Sequence, residues 1–461
     1  MPPVQETFTE AIEFTSEFTQ RAYPNLAKHL DPVWIEEALQ ATGTGTLRRR
    51  RLPAEQIVWL VLGCALYRDL PITEVARRLD IALPEADGTR TVASSALTQA
   101  RERLGADPME WLFLRTGEEW AHASAGRDRW RGLALYGVDG TTLRVADSQV
   151  NRDHFGGQVA GAHAGGRPDR VSGYPSLRLV VLMALRSHLL AAASFGPYTL
   201  AEPAYAKGLW DVVPDQSLVL FDRGYLHAEV MVPVMTQGTA RHWLTRAKTT
   251  SSYRKIRRLG TGDELVEFQV SDEARRRDPS LPTHYDARAI HYKRKGHPPQ
   301  LLLTSLLDPV AYPAAELRVL YHERWELELG FGELKTDMLE RLETLRSKSP
   351  TSVAQEMWGL LTAYNLVRLE MERIADELKI AATRVSFVAA LRFITEAWWS
   401  AVHTDAPGAL PKRIGSMRDK IRQYVLPPRR HERTFPRAVK LKMSNYARKV
   451  PTTVSTKSRT K

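Results

Sequence analysis

Two short, almost wholly apolar runs constrain this chain most. Leu133-Ala-Leu-Tyr-Gly-Val138 and Ser217-Leu-Val-Leu-Phe221 each lead straight into an aspartate, Asp139 and Asp222. An apolar run of that length bounded by turn residues reads as a buried strand. Taken singly, each acid is an ordinary turn-opening aspartate, and Asp139-Gly140 is a common turn pair. Taken together they are two carboxylates delivered by rigid elements. A pair of hard divalent cations needs oxygen ligands of this kind, gathered at one point.

A third acid comes from a helix predicted over Pro313–Met338. Pro313 suits a first helical position. Leu320, Leu327, Phe331, Leu334 and Met338 recur at spacings of 7, 4, 3 and 4 and form a core-facing stripe. At about 100° per residue, Tyr321, Arg324, Glu328 and Lys335 fall within roughly 60° of one another, beside that stripe. An acid flanked by a phenol and two cations suits a metal site that also grips phosphate. The same wheel also describes a solvated charged face.

The first 125 residues read as helical. A helix over Pro53–Tyr67 follows the run Arg48–Arg51. Ile72–Leu79 and Ser94–Leu104, the latter carrying Arg101 and Arg103, are either a helix-turn-helix-like DNA reader or part of a plain bundle. Val145–Tyr174 is a Gly- and His-containing loop with Arg167 and Arg170, and Leu177–Phe195 is strand-like, broken at Arg186-Ser-His188. Residues 236–308 hold four strand-like runs, beginning with His242-Trp-Leu-Thr245, and are expected as an all-β, antiparallel insertion. Beyond Tyr312-Pro313 the pattern is helical to about Tyr424. The expected division is 1–125 helical and DNA-binding, 126–235 and 309–375 catalytic, 236–308 insertion, and 376–461 helical with a basic tail.

Charge is unevenly placed. The net charge is +12, yet the last 51 residues hold 16 Lys and Arg against Asp419 and Glu432, so the rest of the chain is close to neutral. That tail is either a solvated end or a phosphate-holding segment. One cysteine, Cys64, excludes a disulfide framework and fits a reducing cytoplasm. The acidic, apolar-poor N-terminus is not a signal peptide, and the longest apolar stretch, Ile57–Tyr67, is too short for a bilayer.

Tyr321, Arg324, Glu328 and Lys335, spaced Y-x2-R-x3-E-x6-K, resemble the Tyr-Arg-Glu-Lys signature of one branch of bacterial insertion-sequence DDE transposases, the branch with a β-strand insertion domain. Val138-Asp139-Gly140-Thr141 resembles that family's first aspartate motif, and Phe221-Asp222-Arg223-Gly224-Tyr225 its second. Asn151, Phe155-Gly156 and the segment Ala96–Gly105 are also similar to family usage. The resemblance implies an α/β, RNase H-like catalytic domain interrupted by the all-β insertion. It implies Asp139, Asp222 and Glu328 as catalytic metal ligands for Mg2+ or Mn2+, two ions per site. Tyr321, Arg324 and Lys335 would contact the DNA backbone near the cleaved phosphate, with Arg223, Arg101 and Arg103 as further DNA contacts. Cut-and-paste cleavage and strand transfer at terminal inverted repeats, by a homodimer in a paired-end complex associated with the nucleoid when bound, follow from the same resemblance. A nuclease on the same fold without strand transfer, and a domesticated DNA-binding protein without catalysis, are the competing readings. Asp147 and Glu333 fit no part of the site and stand as reference acids.

Removing residues 427–461 should weaken binding to duplex DNA of any sequence. Titrations across a salt series should show the log–log slope reduced by about 0.9 for each phosphate that the tail no longer neutralises. An unchanged slope would show that the tail does not clamp phosphate.

Overall fold

The computed structural model describes residues 30–45, 52–81, 92–157, 173–293, 299–340, 344–402 and 410–428. Arg48–Arg51, Arg167, Arg170, the connection before Ser94 and the tail beyond 428 lie outside them. The chain opens on helices α1 (Pro32–Ala41), α2 (Ala54–Leu66), α3 (Ile72–Arg78), α4 (Ser94–Leu104) and α5 (Asp107–Thr116). A π turn, Gly117–Ala121, leads from α5 into α6 (His122–Arg127). Then come β1 (Ala134–Val145), α7 (Gln149–Phe155), and the hairpin β2 (Ser176–Ala184) and β3 (Leu190–Pro197), which turns at Arg186–His188. Next are α8 (Glu202–Ala206), β4 (Ser217–Phe221), α9 (Ala228–Thr236) and β5 (Arg241–Arg246).

These strands stand in the order β3-β2-β1-β4-β5 within one ten-stranded sheet. β1, β4 and β5 are parallel, which explains their nearly continuous apolar runs: both faces are covered. One face packs Leu135, Leu218, Leu220 and Leu244 against helices from both ends of the chain. The other packs Tyr136, Val138, Val219, Phe221 and Trp243 against the segment 205–234.

The structure differs from the sequence reading in three places. β1 does not turn at Asp139-Gly140; it runs on to Val145 because β2 pairs antiparallel along its whole length, Tyr136 to Arg144. Second, His242–Thr245 is not the first strand of a separate insertion. It lies in β5, parallel to β4, because burial of Trp243 and Leu244 on opposite faces fits the covered part of the sheet. Third, the segment after β5 extends the same sheet antiparallel through β6 (Arg254–Gly260), β7 (Asp263–Gln269), β8 (His284–Tyr292) and β9 (Gln300–Thr304). It includes a short helix, α10 (Asp272–Arg277), so it is not all-β.

The helix expected over Pro313–Met338 is continuous but not uniform. It comprises α11 (Ala314–Leu320), a 3-10 turn (Tyr321–Arg324), α12 (Trp325–Gly332) and a π turn (Glu333–Met338). β10 (Thr344–Leu345) then pairs parallel with the end of β1, at Arg144 and Val145. α13 (Pro350–Leu378), α14 (Phe387–Val402) and α15 (Leu410–Arg422) follow. Among the described residues no helix is long and apolar enough to cross a membrane.

α13 joins the helical N-terminal part to the sheet. Asn365 on α13 accepts from Leu190 N–H at 2.8 Å, and donates to Leu190 C=O at 2.9 Å and Thr116 Oγ1 at 3.0 Å. Gly117 lies so close to β3 that an added Cβ would overlap the Ala191 carbonyl oxygen. That neighbour is backbone and has no rotamer to change. Gly117→Ala should therefore cost at least the ~1–3 kcal/mol typical of overpacking, read as a lower denaturation midpoint in chemical unfolding.

Candidate active site

The parallel pairing of β1 with β4 runs from Ala134↔Ser217 to Val138↔Phe221. Asp139 and Asp222 are the next residue on each strand, so the register alone sets the two acids side by side. Alternation fixes the direction: Leu135 and Gly137 share the face of Asp139, and Gly137 meets Leu327 of α12, to which an added Cβ would come within 2.7 Å. β4 pairs onward with β5, Phe221 opposite Thr245, so Arg246 follows beside Asp222.

α12 and the 3-10 turn before it cover this junction. Arg324 bridges the acids: Nη2 donates to Glu328 Oε1 at 2.8 Å, and Nη1 lies 3.6 Å from Asp139 Oδ2. Its side chain is 16% exposed, that of Asp139 18%, and that of Glu328 39%. Glu328 is thus the acid most open to solvent and to an approaching ligand. Lys335 on the π turn donates to Thr141 Oγ1 at 3.3 Å, two residues beyond Asp139.

The other residues of the sequence reading fall differently. Tyr321 is 8% exposed, and its hydroxyl donates to the Phe221 carbonyl at 3.2 Å. It holds the end of β4, one residue before Asp222, and faces protein. Burial pushes its phenol up to about 12. Arg223 is exposed on the turn after Asp222. Arg101 is engaged elsewhere: its Nε donates to Gln355 Oε1 at 2.9 Å, and Gln355 Nε2 donates back to the Arg101 carbonyl at 2.8 Å. It ties α4 to α13, whereas Arg103 is exposed.

Two residues near the acids escape the sequence reading. Glu202, at the start of α8, approaches Asp139 over Gly140; a Cβ on Gly140 would stand 2.5 Å from its Cδ. Gly140 supplies room rather than a turn. Arg178 Nη1 donates to Glu202 Oε1 at 3.1 Å. Arg246 was missed because its strand reads as part of the insertion. The only sequence signal for it is the cation that ends the apolar run Trp243-Leu-Thr245.

Burial pushes the Asp139 carboxyl up to about 6, helped by the carboxylates of Glu202 and Asp222 and opposed by the Gly140 N–H and Arg324. The donors on offer are hard carboxylate oxygens, the type Mg2+ and Mn2+ prefer. Arg324 occupies the cationic position between Asp139 and Glu328. The residues therefore fit a divalent cation. Among the described residues no three such side chains already stand close enough to enclose one.

The helix is pinned from below. Glu333 accepts from Arg368 Nη1 at 3.3 Å and from the Tyr364 hydroxyl at 2.8 Å, and lies 3.2 Å from His188 Nδ1. His188 Nε2 is 2.8 Å from Glu326 Oε2. Arg368 and His188 are fully buried, and Arg368 also donates to the Ser187 carbonyl at 2.7 Å and 2.5 Å. Glu333 is a structural acid and cannot serve as a neutral reference. Asp147, exposed and paired with Arg152, can.

Residues 132–366 match the family described as "Transposase DDE domain", and residues 20–114 match "Insertion element 4 transposase N-terminal". The chain is 38% identical over 441 residues to the transposase InsG for insertion sequence element IS4 of Escherichia coli strain K12, covering 95% of this chain and 97% of that one. Among solved structures, a piggyBac transposase synaptic complex with hairpin DNA covers 93% of this chain and 87% of that chain, at 11% identity and a TM-score of 0.40.

Burial alone would raise the Glu333 carboxyl, but Arg368, His188 and Tyr364 outweigh it and hold it at about 2, below its ordinary 4.5. A depressed acid stabilises the fold above its unfolded value, and that stability is lost as pH falls through the folded one. Glu333→Gln should cost ~3–5 kcal/mol at neutral pH, the usual penalty for breaking a buried pair. Unfolding titrations of the two proteins should converge as pH drops from 4.5 toward 2.

Proposed function

The chain belongs to the IS4 family of DDE transposases and is a DNA transposase, an enzyme of strand cleavage and transfer; from that premise we propose that Asp139, Asp222 and Glu328 are its catalytic carboxylates. The family implies dependence on a divalent metal. The observation that supports the assignment is the shared register of β1 and β4, which ends one residue before both aspartates, with Glu328 on the helix that closes over them.

Two Mg2+ or Mn2+ ions, when bound, would supply charge to the attacking and leaving oxygens of an in-line displacement at phosphate. The residues of the chain do the rest. Asp139 and Asp222, on adjacent parallel strands, offer oxygens from a backbone that is held by its neighbours. Burial holds the Asp139 carboxyl up at about 6, so a cation bound there would favour its ionised form. Glu328 gives up Arg324 to join them. The freed guanidinium stays beside the acids, where it can donate to a phosphate oxygen in fork geometry. Lys335, beside Thr141, and the exposed Arg223 are placed to contact the DNA backbone on either side. Tyr321 acts through the Phe221 carbonyl as a positioning residue for Asp222. The sheet order, with parallel β1, β4 and β5 beside the antiparallel hairpin β2–β3, supports the RNase H-like reading of this domain. β6 to β9 are its insertion. The DNA substrate is the terminal inverted repeats of an insertion sequence, engaged by a homodimer in a cut-and-paste reaction.

Glu328→Gln removes one anionic ligand from a partly exposed position and should leave folding intact. On duplexes carrying a terminal repeat, cleavage in Mg2+ should fall by several orders of magnitude while repeat binding persists. Asp139→Asn and Asp222→Asn should behave alike, and the triple variant should lose little more than any single one, since residues acting as a unit are not additive. Asp147→Asn should cut normally. Pre-cleaved repeat ends mixed with target DNA should yield joined product with the wild-type chain and Asp147→Asn, and none with the three carboxylate variants. Wild-type cleavage by Glu328→Gln would overturn the assignment.

A further inference from the structure

Away from the carboxylates, α2, α4 and the segment leading from β10 into α13 surround a cavity of about 430 Å3. Arg68, Arg101, Arg346 and Lys348 line it, against two acids, Glu102 and Glu356. Glu356 is already engaged. It pairs with the buried Arg68 and accepts the backbone N–H groups of Arg346 at 2.9 Å and Ser347 at 2.8 Å. Arg346 donates to the carbonyls of Leu70 at 2.9 Å and Cys64 at 3.4 Å, both neutral. Lys348 meets no acid among the described residues; only its carbonyl is used, by Ser148 Oγ at 2.6 Å. The cavity therefore carries more positive charge than its own acids balance. Burial first, and then repulsion from Arg68 and Arg101, holds the Arg346 guanidinium below its ordinary value.

The 29-residue helix α13 opens at the same place, with Ser349 and Ser352 on the cavity wall. A long helix presents its positive end there. β10 pairs with Arg144 and Val145 of β1. Arg144 lies five residues past Asp139, so β10, which leads into the cavity wall at Arg346, stands roughly 17 Å along the strand from that aspartate at ~3.4 Å per residue. That span is about five base-pair steps of duplex DNA.

We propose that this cavity is a second phosphate site of the enzyme, which takes a backbone phosphate of bound duplex DNA several nucleotides from the carboxylates. It rests on DNA being the substrate. Arg346 and Lys348 supply the charge, Arg101 and Arg68 shape the wall, and the start of α13 completes it. Arg101 thus serves DNA from inside a cavity, not from an exposed recognition helix.

Cys64, the chain's one cysteine, lines the cavity, so its alkylation reports occupancy; burial raises its thiol, and labelling is therefore run at mildly alkaline pH. Iodoacetamide labelling of the full chain would be timed alone, with inorganic phosphate, and with a duplex carrying a terminal repeat, while anisotropy follows DNA binding. The duplex should slow labelling severalfold. Lys348→Gln, at an exposed side chain, should remove that protection, weaken binding roughly tenfold and lower the salt slope by about 0.9; Lys348→Arg should restore all three. Arg346→Gln should repeat the loss. Unchanged labelling with DNA bound would overturn the proposal, as would protection and slope that survive in Lys348→Gln. Protection by phosphate but not by DNA would overturn it in favour of a free anion. Absence of any DNA binding by the wild-type chain would instead remove the premise.

Discussion

Everything at this centre depends on the parallel pairing of β1 with β4. Backbone hydrogen bonds set the register, and the register sets Asp139 next to Asp222 without help from either side chain. Two carboxylates placed so close repel each other, and burial adds to the cost. The sheet can hold them there because its strands are apolar on both faces up to the last residue before each acid. The acids are placed by packing done elsewhere.

The helix over them solves a second problem. In the proposed site it must lie close enough to bring Glu328 toward the aspartates. Leu327 packs into the space left by Gly137, and an added Cβ on Gly330 would overlap the Met183 side chain, so α12 sits directly on β1 and β2. Beneath it, Glu333 and Glu326 reach the His188 turn and Arg368. The helix is anchored at its π turn, while its Arg324–Glu328 face meets Asp139. There Arg324 forms a cationic bridge between Asp139 and Glu328.

Much of this was legible in the chain because the signals were local. Apolar runs ending in aspartate marked β1 and β4, and the four-residue spacing on one helix marked Arg324, Glu328 and Lys335. Long-range effects were not legible. The run of β1 past Asp139-Gly140 is dictated by β2, about forty residues on. The role of Gly140 depends on Glu202, which no spacing connects to it. Trp243-Leu-Thr245 looks the same in sequence whether its neighbour is β4 or another hairpin. Tyr321 was placed on the correct helix, but its partner is the carbonyl of a residue a hundred positions earlier. The uniform helical wheel also failed to show the tightened and widened turns on either side of α12.

The outermost strand, β6, has a consequence of its own. Among the described residues no strand pairs with its outer edge, and such an edge invites a second copy to add on. Arg254, Lys255, Ile256, Arg257 and Arg258 are all exposed there, and the pairing with β7 slips at Lys255/Arg257 and again at Arg258/Gly260. Like charges on two approaching copies repel, and the irregular pairing spoils the flat template that fibril growth requires. The last strand of this sheet is thus a poor surface on which to build a further one.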